Sequence, residues 1–223
     1  MASTHGHNAA HGDVDVSKHQ AHHFQTIKQQ IDAGKLGMWL FLAQEVLFFS
    51  GLFLAYGFGR LFYPETFLAA HEYLDWKMGA VNTVILLTSS LTMALAVRAA
   101  QTNNRTALVG NLWATILLAF GFLVVKYFEY THKFHLGIFP GKYYNGPDIE
   151  GHPAVFFGIY YVLTGMHGLH VVIGIGVLIW IALRAARGDF SSKYYLAVEN
   201  TGLYWHLVDL VWIFLFPLLY LVK

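Results

Sequence analysis

The 223-residue chain contains no cysteine, which excludes disulfides, thiol nucleophiles and cysteine-ligated clusters. Charge is scarce: 12% of residues are Asp, Glu, Lys or Arg, about half the usual share of a soluble domain. The formal net charge is +1 with histidine neutral, so the basic footprint of a nucleic-acid-binding protein is absent. No segment recurs at a period of roughly 20–50 residues, which removes solenoids and propellers. Proline occurs five times and interrupts no apolar run at its middle; Pro217 comes near the end of the last one. The N-terminal stretch is polar and has no apolar h-region, so it does not read as a cleaved signal peptide.

What the chain has is apolar length. Hydrophobic residues make up 56% of it and aromatics 17%, in long blocks rather than periodic stripes. Five blocks, at about 35–59, 79–100, 108–130, 153–183 and 202–222, are long enough to cross a hydrocarbon core of about 30 Å as helices. The expectation is an all-α polytopic membrane protein, with a polar tail over residues 1–33 and a five-helix bundle over 34–223. A short interfacial helix is expected near residues 24–31. With the N-terminus inside, the inner segments carry eight Lys and Arg, among them Arg98, Arg105, Arg184 and Arg187. The outer segments carry five: Arg60, Lys77, Lys133, Lys142 and Lys223. That bias predicts an N-inside orientation. The second outer loop contains FPGKYYNGPDIEGHP, a turn-rich stretch that cannot be helical throughout.

Polar residues inside the spans need a reason, because a charge at mid-bilayer costs about 2.5–3.5 kcal/mol on insertion scales. Lys126 and Glu129 stand three apart near the outer end of the third span and read as an ion pair within snorkelling reach of the interface. His206 and Asp209 share that spacing, so the carboxylate can hold the imidazole or pair with it, in a helix–helix tie or in proton handling. His167 and His170, in TGMHGLHVVIG, invite a metal. Bis-histidine haem sites need facing ligands on two helices, however, and non-haem sites add carboxylates or thiolates. With Gly165, Gly168, Gly174 and Gly176 around them, the two histidines read as interhelical hydrogen-bond partners in a closely packed region. Glu45, in WLFLAQEVLFFSG, has no cation three or four positions away. A neutral acid there can donate a hydrogen bond to another span or to a partner subunit, or its proton can take part in proton movement or regulation. Glu199 precedes the last span. No catalytic, cofactor-binding or metal residues are assigned. His5, His7, His11, His19, His22 and His23 precede the first span; they read either as a tail with adventitious metal affinity or as a proton-collecting surface.

Four stretches carry a family resemblance: GMWLFLAQEVLFFSGLFLAY, NTVILLTSSLTMALAVRAAQ, FFGIYYVLTGMHGLHVVIG and AVENTGLYWHLVDLVWIFLF. In that order they resemble consecutive helices of subunit III of haem–copper terminal oxidases. The resemblance implies a non-catalytic subunit that packs on subunit I, shares a complex with subunit II, binds phospholipid and sustains proton uptake. Haem and copper would belong to the partner subunits. It matches Glu45 to the family's carbodiimide-reactive glutamate and His167, followed by His170, to its fourth-helix histidine. The family's Glu–Tyr–Trp–His–Asp constellation falls on Glu199, Tyr204, Trp205, His206 and Asp209. The mitochondrial form has two earlier spans that wall a lipid cleft and are absent here; the five-span length resembles bacterial members, implying a bacterial plasma membrane. The leading expectation is a cytochrome c oxidase subunit. The same role in a quinol oxidase or nitric oxide reductase is the alternative, and a transporter using Glu45 and His167 the reading from another class.

Overall fold

The computed structural model describes residues 24–221. The six tail histidines singled out above therefore lie outside the described residues. Six α-helices follow in order: α1 (Ile27–Phe62), α2 (Pro64–Ala70), α3 (Trp76–Gln101), α4 (Arg105–His135), α5 (Pro153–Arg187) and α6 (Leu196–Tyr220). All but α2 are long and apolar enough to cross a membrane.

The helix ends follow from local chemistry. Thr26 caps α1 by accepting from the Gln29 amide, Asp75 caps α3 from Lys77 and Met78, and Asn104 caps α4 from Ala107. Each satisfies amides that the first turn leaves unpaired. Pro64 and Pro153 sit in the first turns of α2 and α5, where a missing N–H does no harm. Gly188 ends α5 at φ 89°, a left-handed conformation that a side chain would strain. Pro217 lies in the last turn of α6, too near the end to break it.

The spans outrun the expected ones at most ends. The first begins at Ile27, so the stretch expected to hold a separate interfacial helix is part of one continuous 36-residue α1. The third runs on to His135 and takes in Lys133, which the charge pattern had placed in an outer loop. Helix α2 lies between α1 and α3, tied to the loop between α4 and α5 by the Thr66 hydroxyl, which donates to the Glu150 carbonyl at 3.0 Å.

Helices α3, α4, α5 and α6 pack in a ring, each against its neighbours, and α1 leans on α5 and α6 from outside. Half of the most apolar window of α6 is buried but only 17% of that of α1. Polar side chains stitch the ring along the α3–α6 seam. Trp205 Nε1 donates to Ser89 Oγ at 2.9 Å and Trp212 Nε1 to Thr83 Oγ1 at 3.1 Å, so neither indole N–H is stranded. Among the four glycines expected to allow close packing on α5, Gly174 alone does so. A Cβ there would lie 2.7 Å from the Trp205 ring, whereas at Gly165, Gly168 and Gly176 it would meet nothing within 4 Å.

Candidate functional site

Two polar clusters are built into the apolar bundle. The larger lies toward the C-terminal end of α4. Glu129 Oε2 accepts from Lys126 Nζ at 2.9 Å, and Oε1 accepts from Lys133 Nζ at 2.7 Å, Tyr160 OH at 2.8 Å and Tyr220 OH at 2.6 Å. A carboxylate has about two acceptor positions on each oxygen; Glu129 receives four donors, three on Oε1 and one on Oε2. Lys126 reaches Tyr220 OH at 2.9 Å and lies 5.0 Å from the Trp212 ring centroid; Lys133 lies 4.9 Å from that of Tyr160. The expected Lys126–Glu129 pair is therefore present, but it does not snorkel. It is buried and shared with a second lysine and two tyrosines from α5 and α6. Residues 126, 129 and 133 fall on one helical face at spacings of three and four, the signal by which Lys133 could have been found. The tyrosines come from distant segments and carried none.

The smaller cluster holds the isolated glutamate of the first span. Glu45 Oε2 lies 3.0 Å from His170 Nε2 on α5, with the Phe49 ring 5.1 Å from the imidazole. The other imidazole nitrogen, Nδ1, is 2.7 Å from the Met166 carbonyl. A carbonyl only accepts, so Nδ1 carries hydrogen. One proton then remains between Nε2 and Oε2. If the acid holds it, both partners are neutral; if the imidazole holds it, they are an ion pair. The sum of the charges is zero in either case. Tyr204 OH, 2.9 Å from the His170 carbonyl, attaches the same turn of α5 to α6.

The remaining residues do not join either cluster by hydrogen bonds. His167 is buried between Phe122 and Trp212, ring centroids 5.5 and 5.2 Å away, and neither of its nitrogens has a hydrogen-bond partner. Of the two histidines expected to bond across helices, only His170 does so. His206 does not pair with Asp209: its Nδ1 lies 2.7 Å from Ser90 Oγ on α3, and both Asp209 carboxylate oxygens are buried without a partner. An i, i+3 spacing brought the two residues to one side of α6, but the imidazole swings toward the neighbouring helix. Glu199 is not a buried group. Its side chain is 31% exposed and meets Lys35 of α1 at 3.6 Å. Asn82, fully buried on α3 with both amide atoms unpartnered, was not singled out from the sequence. Among the described residues, no three His, Cys, Asp or Glu side chains converge as a metal-ligating group.

Between α1 and α6 runs an apolar groove of about 630 Å³, lined among others by Trp39, Ala43, Val46 and Leu47 of α1 and by Leu203, His206 and Leu210 of α6. It borders α1, the least embedded of the spans and the one that carries Glu45.

A family model for cytochrome c oxidase subunit III matches residues 11–223. The chain belongs to the cytochrome c oxidase subunit III family. Among relatives of this family, the cytochrome c oxidase subunit 3 of Alkalihalophilus pseudofirmus is 30% identical over 217 residues, 94% of this chain and 97% of the relative. That of Balaenoptera musculus is 31% identical over 215 residues, 93% of this chain but 75% of the longer relative. A heme-copper oxidase subunit I+III of Aeropyrum pernix is 32% identical over 197 residues, and the match spans only 23% of that protein. With its five apolar spans, this subunit III family member is a multi-pass membrane protein.

Proposed function

We propose that the chain is the non-catalytic subunit III of a respiratory cytochrome c oxidase in a bacterial plasma membrane, oriented with its N-terminus inside. In this reading it packs directly on subunit I, shares the complex with subunit II, and leaves haem and copper to those partners. Its tasks are to stabilise the catalytic subunit and to support proton uptake during turnover. The observation that carries the reading is the family match over nearly the whole chain, including a relative matched over 97% of its own length. The subunit I+III relative supports the partnership, since its name joins the two subunits. The apolar groove between α1 and α6 suits a phospholipid acyl chain. The five long helices run unbroken, unlike the discontinuous helices that bind substrate in many transporters.

Co-purification tests the assignment. A subunit of the oxidase is expected to come out of the membrane with a partner that shows a haem spectrum and with a copper-bearing subunit II. Isolation as a haem-free, transport-active oligomer would sink it. The Glu45–His170 pair gives a second test of the proton-supporting role. Glu45→Gln keeps shape and hydrogen bonding but removes the shared acid proton, so the subunit is expected to assemble while sustained turnover falls. Loss of assembly in that variant contradicts the assignment of roles. The histidine tail, as a proton collector, matters most where protons are scarce. Deleting residues 2–24 is expected to slow turnover chiefly above about pH 7, and an unchanged rate from about pH 6 to about pH 9 rules the collector out.

A further inference from the structure

The outward face of α1 is not a random lipid-facing surface. Taking 100° per residue, the residues that meet the bundle (Leu42, Glu45, Phe49 and Tyr56) lie about 180° round the helix from a seven-residue pattern. One line of that pattern is Gly37, Gln44, Gly51 and Phe58; the other is Leu40, Leu47, Leu54 and Leu61. The four leucines are between 62% and 74% exposed, and Leu47 also forms the lip of the groove beside α6. Gly37 and Gly51 are open notches, where a Cβ would meet nothing within 4 Å. Ala43, Ser50 and Gly57 form a second small-residue line on the far flank of the leucines, and no charged residue stands on the two lines or beside them. A strict seven-residue spacing of this kind is the seam of a left-handed helix pair, with leucine ridges and glycine hollows.

Gln44 decides what the seam is for. It is exposed at the midpoint of the 36-residue helix, and its amide has no hydrogen-bond partner among the described residues. In hydrocarbon an unpaired amide costs several kcal/mol. The group that covers the seam must therefore offer both a donor and an acceptor at that depth, which an acyl chain does not.

We propose that this face of α1 docks against α1 of a second copy of the chain, in a parallel pair about a two-fold axis along the membrane normal. Two copies inserted the same way present Gln44 to Gln44 at the same depth, and an amide is its own complement in donors and acceptors. In a parallel two-stranded pair each layer meets its own kind, so leucine meets leucine and the glycine layers let the backbones approach. A single polar residue in such a seam fixes register and strand number. The arrangement leaves the opposite face of α1, with Glu45, on its own bundle. It would join two oxidase complexes through their third subunits.

The absence of cysteine makes the test direct, because an introduced thiol is the chain's only one. In membranes carrying the assembled complex, Leu40→Cys, Leu47→Cys and Leu54→Cys are each expected to give an oxidative cross-link at twice the mass of the chain. Val46→Cys, exposed on the flank, is expected to give little. Adding Gln44→Leu to Leu47→Cys should lower the dimer fraction roughly tenfold. Gly51→Ile, which the isolated chain has room for, should lower it as well while leaving assembly with the haem-bearing partner unchanged. Equal cross-linking at Val46→Cys and Leu47→Cys, no dimer at any ridge position, insensitivity to Gln44→Leu, or capture of a different chain would each overturn the second-copy interface.

Discussion

Glu129 and Glu45 are both acids set among apolar helices, and the bundle treats them in opposite ways. Glu129 is held by four donors from three helices, inside the ring. Glu45 has one cross-helix partner, on the helix that only leans on the ring. The first arrangement ties the carboxylate to three helices at once; the second leaves a single proton with two places to sit. The same residue type is thus a rivet in one region and a joint in the other. What separates them is the number of elements that converge on the carboxylate, not its depth in the sequence.

The comparison is broken most severely at Glu129. Glu129→Ala leaves Lys126 and Lys133 buried without their carboxylate, a loss of about 3–5 kcal/mol for a buried pair. The variant is expected to fail to accumulate in the membrane or to lose its fold in mild detergent, read by protease resistance and thermal melting. Glu45→Ala strands only the Nε2 of His170, so its expected loss is about 1–3 kcal/mol, with α1 loosened and the rest of the bundle intact by the same measurements. Tyr220→Phe takes one donor of four from Glu129 and is expected to lower stability by about 1 kcal/mol. If it proves as damaging as Glu129→Ala, the idea of a carboxylate held by redundant donors is wrong. The smallest effect belongs to Lys35→Ala, which removes a half-exposed pair with Glu199. A loss of about 0.2–1 kcal/mol is expected, vanishing in high salt.

The five spans were legible because apolar length is a one-dimensional signal. Their ends were not. Polar first turns such as that of α1 and the lysine-bearing last turns of α4 are helical by capping and tertiary contact, which hydropathy does not register. Seven-residue α2 was too short to stand out in a loop. For the polar groups, spacing served where partners share a helix and failed where they do not. It paired Lys126 with Glu129, yet it paired His206 with Asp209 wrongly, because Ser90 of α3 is nearer the imidazole. Glu45 had no partner within reach in sequence since His170 is 125 residues away. The family resemblance singled out Glu45, and His170 only as the neighbour of His167, without saying that they touch.

Helix α1 is tied to its bundle at three levels: Lys35 with Glu199, where Asn200 also donates to the Gly34 carbonyl, Glu45 with His170, and Tyr56 donating to the Leu218 carbonyl. They fall ten and eleven residues apart, spaced by about 15–17 Å of helix. A rod clamped near both ends can bow at its centre without being released. Opening the middle tie would therefore widen the groove beside α6 and close it again with no change of register or topology. The first span is built like a sash held at sill and lintel, whose only movable catch is a single proton.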